Sequence, residues 1–147
     1  MDLKKILVPT DFSEYAATAL NYAASLARDT GATLCIVHVQ EDTAAYADYG
    51  LGGFPVNAEA PDDAVFERML SEVKPSDDVD CSHKLLHGLT AQEIVQCAEA
   101  EDADLIVMGT HGRKGLTRLL MGSVAEEVVR KAVCPVLTVK QPALVKA

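Results

Sequence analysis

The sequence has no tryptophan, few other aromatic residues and no long apolar run. Aromatic residues make up 5% of the 147 residues, whereas 49% are hydrophobic. A core must therefore consist of closely packed aliphatic side chains, which suits helices lying on a sheet. No run approaches the roughly 18 apolar residues that span a bilayer. The first run is only Ile6 to Val8, which follows two lysines and ends at a proline. We identify neither a signal peptide nor a membrane anchor.

Closely spaced cysteine pairs are also missing. The 4 cysteines, Cys35, Cys81, Cys97 and Cys134, are scattered through apolar stretches and form no C-x-x-C motif. We interpret them as reduced, buried thiols of a cytoplasmic protein, with redox or metal chemistry as the less favoured alternative.

Basic residues are outnumbered by acidic ones. The chain has 13 Lys and Arg against 22 Asp and Glu, a formal net charge of −9. This balance argues against a general role on nucleic acid or an anionic membrane, because surplus cations hold those partners. A site for an anion would have to be local, which screening over about 8 Å at physiological salt permits.

Five segments have the composition of β-strands. Residues 5–8, 34–39, 105–108 and 136–139 are continuous runs rich in β-branched residues and do not alternate, as expected of parallel strands covered on both faces. Residues 79–86 alternate between apolar and polar side chains, which is typical of a strand nearer an edge.

Four helical segments lie between the strands. Residues 13–28 are alanine-rich and Gly31 follows as a stop, while residues 62–73 end before Pro75. Residues 90–93 and 123–126 each have the S/T-x-x-E/Q form of a capping box, which predicts helices with Thr90 and Ser123 as N-caps. The predicted buried stripe of the second helix is Val65, Phe66, Met69 and Leu70.

This alternation of strands and helices predicts a single doubly wound α/β domain over residues 1–147, because parallel strands need crossover helices on both faces. Residues 40–61 form a longer connection than compact domains usually contain. We expect a flexible loop there, with a lid or a partner-binding loop as the alternative.

Function is expected to concentrate after the fourth strand. Residues 105–123 read LIVMGTHGRKGLTRLLMGS, so Gly109, Gly112, Gly115 and Gly122 lie between a buried strand and a helix start. Ligands of open parallel sheets bind at such strand ends, where glycines let backbone N–H groups approach phosphate oxygens. The alternative is that these glycines only form turns.

Charge favours an anion at this loop. Residues 109–122 contain three cations, Arg113, Lys114 and Arg118, together with His111, and no acidic residue. The alternative is that the cations are solvated. A helix start at Ser123 adds N–H donors and a positive dipole end, although its hydroxyl could simply cap the helix. The P-loop and G-x-G-x-x-G motifs are both absent, which argues against a P-loop NTPase or a nicotinamide dehydrogenase.

The spacing Gly109-x2-Gly112-x9-Gly122-Ser123 resembles the motif of ATP-binding members of the universal stress protein family. Further segments are similar to that family in the same order along the chain: KILVPTDFS from residue 5, VHV from residue 37, Gly88, and CPVLTV from residue 134. The resemblance covers nearly the whole chain apart from residues 40–79.

The resemblance implies a Rossmann-like, adenine nucleotide alpha hydrolase-like sheet of five parallel strands in the order 3-2-1-4-5, with the nucleotide at the switch between strands 1 and 4. It implies that Pro9, Thr10 and Asp11 flank the adenosine, with Asp11 bonding the ribose or base. The Val39 backbone would lie beside adenine, and Met108 and Gly109 beneath the nucleoside. The implied phosphate residues are Gly112, Gly122, Ser123 and Val124, to which the charge of the loop adds His111 and Arg113. Local sequence equally allows Asp11 to cap the first helix.

We therefore expect a nucleotide-dependent regulatory or stress-response protein that binds ATP. Family members commonly dimerise through the last strand, and an apolar edge at residues 136–139 would need a partner, so a homodimer is expected. Hydrolysis should be slow, since His111 is more often a hydrogen-bond donor than a base. Whether Mg²⁺ accompanies ATP stays open, because no carboxylate pair is evident, although Asp11 or Thr10 could assist through water. The alternatives are a slow ATPase or autophosphorylating enzyme, and an interaction domain that has lost its nucleotide.

Overall fold

The computed structural model describes residues 2–41, 63–76, 78–111 and 121–140. These residues form one parallel sheet in the order β3-β2-β1-β4-β5, with helices between successive strands. The elements are β1 (Lys5–Pro9), α1 (Glu14–Thr30), β2 (Thr33–Glu41), α2 (Asp63–Ser71), β3 (Cys81–Gly88), α3 (Thr90–Ala100), β4 (Leu105–Gly109), α4 (Ser123–Lys131) and β5 (Val136–Val139). The doubly wound fold and the strand order 3-2-1-4-5 are confirmed. Within the described ranges no helix is long and apolar enough to cross a bilayer.

The central strands are apolar on both faces because both faces are covered. In β1, Ile6 and Val8 pack with α1 and α2, whereas Leu7 packs on the opposite face with α3 and α4. All three side chains are fully buried. Each such burial contributes about 1.5–3 kcal/mol, so the continuous apolar pattern directly specifies a sheet between two helical layers.

The edge strand β3 and its neighbour β2 form as predicted, but with shifted bounds. In β3 the more buried and the exposed residues largely alternate, as predicted for an edge. Val79 is buried but precedes the strand, which begins at Cys81. β2 continues to Glu41 because it pairs with β3 as far as Gly88. The loop predicted from residue 40 therefore begins too early, and its remainder, residues 42–61, lies outside the described residues.

Helix α1 begins one residue after its predicted start and ends at the predicted glycine. The Ser13 hydroxyl accepts a hydrogen bond from the Ala16 N–H at 3.2 Å and so forms the N-cap. Gly31 adopts a φ of 81°, and its N–H donates to the Ala27 carbonyl at 2.8 Å. Because only glycine adopts this conformation freely, Gly31 ends the helix, which runs two residues past the predicted Arg28 to Thr30.

Both predicted capping boxes are wrong by one residue. The N-cap of α3 is Leu89 and that of α4 is Gly122, and neither helix has a side-chain cap. Thr90 and Ser123 are instead the first helical residues. The Thr90 hydroxyl donates to Glu41 Oε1 at 2.6 Å, so its hydrogen-bond partner is a carboxylate at the end of β2.

The predicted buried stripe of α2 is only partly correct. Leu70 is buried and Phe66 and Met69 are half-buried, but Val65 is 51% exposed. The helix lies beside the edge strand β3, whose histidines contact both ends of this segment. His87 Nε2 lies 2.9 Å from Asp63 Oδ1 at the start of the helix, and His83 Nε2 lies 2.7 Å from the Val73 carbonyl just after it. A helix at the sheet edge has less apolar surface to cover, so its buried face is narrow.

The cysteines form no disulfide. Cys35 and Cys97 are buried, and Cys81 and Cys134 are half-buried. Burial raises the pKa of Cys35, Cys97 and Cys134. A raised pKa keeps these groups as thiols at neutral pH, which agrees with a structural role.

Candidate functional site

A cavity of about 690 Å³ opens at the carboxyl ends of β1, β2 and β4. It lies where the strand order reverses beside β1, the usual ligand position in such sheets, and its volume is within the range of about 300–1,000 Å³ found for small-molecule sites. Every predicted site residue that the structure describes lines it: Pro9, Thr10, Asp11, Val39, Met108, Gly109, His111, Gly122, Ser123 and Val124. Gly112 and Arg113 lie outside the described residues.

The turn between β1 and α1 forms one side of the cavity. The Thr10 N–H donates to the Val37 carbonyl at 2.8 Å, and the Thr10 hydroxyl accepts from the Phe12 N–H at 3.1 Å. Asp11 Oδ1 accepts from the Ser13 N–H at 3.0 Å. Asp11 therefore shapes the turn but is not the N-cap, since Ser13 has that role. The turn holds an Asp carboxylate at the mouth of the cavity.

An aromatic cluster behind this turn was not predicted. His38 lies 4.5 Å from Phe12 and 5.4 Å from Phe66, measured between ring centroids. His38 Nδ1 lies 2.8 Å from the Thr10 carbonyl, and because a carbonyl only accepts, Nδ1 must carry the proton of this hydrogen bond. His38 and Phe66 also line the cavity. The helical pattern indicated only that Phe66 faces inward, since its contact with β2 depends on how α2 packs.

The glycine at the end of β4, Gly109, has a different physical basis from the approach to phosphate that the sequence suggested. A Cβ at Gly109 would lie 3.1 Å from the Cβ and 3.1 Å from the carbonyl oxygen of Tyr15. The close approach of α1 therefore favours glycine here, whether or not a ligand is bound. His111 Nδ1 lies 3.1 Å from the Thr110 hydroxyl, and the His111 ring lies 5.8 Å from that of Tyr15.

Thr110 connects this strand end with the start of α4. Its side chain is buried, its N–H donates to the Val139 carbonyl at 3.2 Å, and its carbonyl accepts from the Gly122 N–H at 2.6 Å. The first turn of α4 is thereby fixed beside the cavity, with Ser123 and Val124 in its lining. Because the N-cap of this helix is Gly122, which has no side chain to cap it, the N-terminal donors and positive dipole end of α4 favour an anion.

On the side away from α4, the cavity has apolar walls and ends at two polar residues. Val37 and Val39 of β2, Ile94 of α3 and Met108 of β4 are buried and line it, with Glu41 and Thr90 beyond them. Neither Glu41 nor Thr90 was predicted as a site residue. No signal in the sequence pairs them, since the strand and the helix that carry them meet only in the folded chain.

Metal ligands are not gathered in the described part of the chain. Within residues 2–41, 63–76, 78–111 and 121–140, no three His, Cys, Asp or Glu side chains come together as a metal site.

Comparison with known proteins identifies the family. The model of the universal stress protein family matches residues 2–140. Universal stress protein MJ0531 of Methanocaldococcus jannaschii is 37% identical over 141 residues, covering 95% of this chain and 83% of the relative. Universal stress protein A homolog 1 of Coxiella burnetii is 34% identical over 141 residues, covering 95% and 97%.

Solved structures agree with this match. Hypothetical protein MJ0577 of Methanocaldococcus jannaschii superimposes with a TM-score of 0.70 at 28% identity, covering 96% of this chain and 98% of that one. The universal stress protein from Archaeoglobus fulgidus in complex with dAMP has a TM-score of 0.66 at 27% identity, covering 94% and 98%. This chain belongs to the universal stress protein family.

Proposed function

We propose that this protein binds an adenine nucleotide, ATP, in the cavity at the carboxyl ends of β1, β2 and β4, and that it acts as a nucleotide-dependent regulatory or stress-response protein in the form of a homodimer. The observation that carries the proposal is the convergence on one cavity of the β1 turn, the end of β2, the end of β4 and the start of α4. The complex of the Archaeoglobus fulgidus relative with dAMP supports an adenine nucleotide as the ligand.

The phosphates belong at the start of α4. The Ser123 hydroxyl and the backbone N–H groups of the first turn offer hydrogen-bond donors there, and the positive end of the helix dipole attracts negative charge. Arg113, which lies outside the described residues, is proposed to add a cation on the sequence grounds given above. Phosphates at this end place the nucleoside towards β1 and β2.

The nucleoside belongs between β1 and the apolar wall of the cavity. Val37, Val39 and Met108 offer an aliphatic surface of the kind that buries a purine ring, and the Asp11 carboxylate at the mouth can accept a hydrogen bond from a ribose hydroxyl. Because Asp11 and Ser123 stand on different elements that face one cavity, a single nucleotide can contact both.

We propose binding, rather than rapid turnover, as the activity. Of the described histidines that line the cavity, His111 is nearest in sequence to the phosphate motif. Its Nδ1 is already within hydrogen-bond distance of Thr110. That geometry suits a group that orients phosphate. Single-turnover assays test the alternative of an ATPase or autophosphorylating enzyme: phosphate release at or above about 1 per second would favour catalysis.

Replacement of Gly122 by valine tests the binding site. Gly122 has φ −72° and ψ 161°, an extended conformation that valine adopts readily, so the fold should tolerate the change. Because Gly122 lines the cavity where the phosphates are proposed to lie, the added side chain should compete with them, and we expect calorimetry to show ATP binding weakened at least about tenfold, or about 1.4 kcal/mol.

Ala132→Val is the matched control. Ala132 is the C-cap of the same helix, also extended at φ −66° and ψ 143°, and lies at the opposite end from the cavity. Its ATP affinity should equal that of the wild type. Unchanged ATP affinity in a folded Gly122→Val variant would contradict the phosphate assignment, and a wild-type protein that binds no adenine nucleotide would contradict the proposed function.

A further inference from the structure

His38 of β2 lies at the point where β1 leaves the sheet. The paired register of β1 with β2 ends at Pro9 and Val37, and His38 is the next residue of β2. Its side chain is half-buried and lines the cavity. Because Asp11 follows Pro9 by two residues, the imidazole stands beside the turn that carries Asp11.

The imidazole is bonded to the peptide group that precedes Asp11. His38 Nδ1 donates to the Thr10 carbonyl at 2.8 Å. This carbonyl and the backbone N–H and Cα of Asp11 belong to one planar peptide unit. A hydrogen bond that fixes the carbonyl therefore also fixes the plane from which Asp11 continues.

Thr10 itself is held by three polar groups. Its side chain is buried, its N–H donates to the Val37 carbonyl at 2.8 Å, and its hydroxyl accepts from the Phe12 N–H at 3.1 Å. The partners of these two groups are main-chain atoms. The partner of the Thr10 carbonyl is instead the His38 side chain, so this restraint on the turn is the one that a substitution at another strand removes.

Two aromatic rings pack against the imidazole and limit its rotation. The ring centroid of Phe12, in the turn, lies 4.5 Å from that of His38, and the centroid of Phe66, in α2, lies 5.4 Å from it. Rings at these separations are in the range of packed aromatic neighbours. Packing and the hydrogen bond thus direct Nδ1 at the same carbonyl.

The turn needs such a restraint because its backbone is strained. Phe12, the residue after Asp11, has a φ of 65°, which L-residues rarely adopt. A strained segment persists only where its surroundings hold it, so loss of the bond to Thr10 would let the turn relax. Relaxation would move the Asp11 carboxylate at the mouth of the cavity.

We infer that His38 is a positioning residue for the nucleotide: through the Thr10 carbonyl it holds Asp11 in the orientation that binds the ligand. This inference rests on the proposed function and deepens it, since it names a residue outside the nucleotide motif on which the affinity of the site depends. His38 acts on the ligand through Asp11.

Two amide substitutions at residue 38 test the hydrogen bond. In His38→Asn the amide nitrogen is attached to Cγ, as Nδ1 is, and can still donate to Thr10, whereas in His38→Gln it takes the place of Nε2. Both variants lose the aromatic ring. On calorimetry with the full chain, His38→Gln should bind ATP about tenfold more weakly than His38→Asn, the value of about one hydrogen bond. Equal affinities in the two folded variants would overturn the inference.

A double-mutant cycle with Asp11 tests the route. Once Asp11→Asn has removed the carboxylate, the further change His38→Gln should cost almost no ATP affinity, because the group that His38 positions is gone. A merely structural role would give additive losses. Additive losses, or an Asp11→Asn variant that binds ATP as the wild type does, would contradict positioning through Asp11.

The wild type provides a test that needs no substitution. Long-range ¹⁵N–¹H spectra at about pH 8, where a histidine is ordinarily neutral, should show the His38 proton on Nδ1. A proton on Nε2 would remove the bond on which the inference depends.

His83→Asn is the matched control for general damage. His83 of β3 is also half-buried, and its Nε2 lies 2.7 Å from the Val73 carbonyl, but it does not line the cavity. Asparagine is too short to replace Nε2, so this variant loses an equivalent bond to a main-chain carbonyl. It should be less stable to urea and should keep the ATP affinity of the wild type.

The outcomes separate this inference from the proposed function. If the wild type binds ATP but His83→Asn weakens binding as much as His38→Gln does, the inference fails and the proposed function stands. The same holds if His38→Asn and His38→Gln bind ATP alike. If the wild type binds no adenine nucleotide, both fail together.

Discussion

At the scale of single residues, Phe12 has the most unusual backbone near the site. It adopts a φ of 65° although it is not glycine, a conformation that costs an L-residue about 1–2 kcal/mol. Its surroundings compensate for this cost: its N–H donates to the Thr10 hydroxyl, and its ring packs against His38. The strain and its compensation both act on the turn that presents Asp11, which suggests that the turn is preorganised.

This strain predicts an inverted order of stability at residue 12. Phe12→Ala keeps the left-handed backbone but loses the ring contact, whereas Phe12→Gly loses the ring contact and also the strain. We expect Phe12→Gly to have a free energy of unfolding about 1 kcal/mol above that of Phe12→Ala, measured by urea denaturation. At Asp29, within α1, alanine should instead be the more stable of the two substitutions. An alanine variant at residue 12 as stable as the glycine variant would show that the turn is unstrained.

At the scale of elements, an ion cluster joins two strands and a helix end. Glu101, the C-cap of α3, accepts from Lys5 Nζ of β1 at 3.0 Å and pairs with Lys84 of β3. Hydrogen bonds from Lys84 and Lys5 lower the pKa of Glu101, and the same contacts raise the pKa of both lysines. Beside it, the N–H groups of Lys4 and Lys5 lower the pKa of Asp104. These charged contacts therefore stabilise the amino end of the sheet, which lies away from the cavity.

The lowered pKa of Glu101 sets the direction of a pH dependence. An unfolded glutamate titrates near 4.5, and the folded group titrates below that value, so the stabilisation is present above pH 4.5 and is lost as the pH falls through the folded pKa. The gap in unfolding free energy between the wild type and Glu101→Gln should be widest near pH 7 and should shrink towards pH 3. Glu99→Gln, on an exposed residue of the same helix, should leave a small gap at both pH values. A gap that does not depend on pH would contradict the ionic role of Glu101.

At the scale of the whole molecule, β5 forms one edge of the described sheet. The N–H groups of Ile106 and Thr110 donate to the carbonyls of Pro135 and Val139 at 3.0 and 3.2 Å, which directs alternate residues of β5 towards β4. In a parallel ladder the residues between them direct their backbone groups away, so the Thr138 N–H faces outward. Leu137 is 38% exposed. An edge of this kind is suited to pairing with a second chain, which supports the proposed homodimer.

Replacement of Thr138 by proline tests that dimer. Proline removes the outward N–H but leaves the bonds from β5 to β4 intact, so it should block strand pairing between chains without unfolding the sheet. We expect light scattering after size exclusion to give a dimeric mass for the wild type and a monomeric mass for Thr138→Pro. Thr138→Val retains the N–H and should stay dimeric. A dimeric, folded Thr138→Pro would mean that another surface holds the two chains, and a monomeric wild type would contradict the homodimer itself.

Much of the architecture follows from the sequence because it depends on local patterns. Burial on both faces requires continuous apolar strands, so β1, β2 and β4 can be predicted from the sequence alone. Helix α1 is legible for the same reason, since Ser13 and Gly31 act on backbone groups a few residues away. The position of the cavity also follows, because strand order and the carboxyl ends of parallel strands determine where a ligand can enter.

What only the tertiary structure decided depends on residues distant in sequence. The helix that Thr90 was predicted to cap begins at Thr90 itself, whose hydroxyl donates to Glu41 of β2, and Val65 is exposed because α2 packs at an edge. Gly109 is favoured because Tyr15 of α1 approaches it closely, a contact absent from the motif itself. The sequence by itself determined the elements and the end of the sheet that carries the site. The three-dimensional packing determined which side chains complete the site, because such contacts join segments whose spacing along the chain has no periodic pattern.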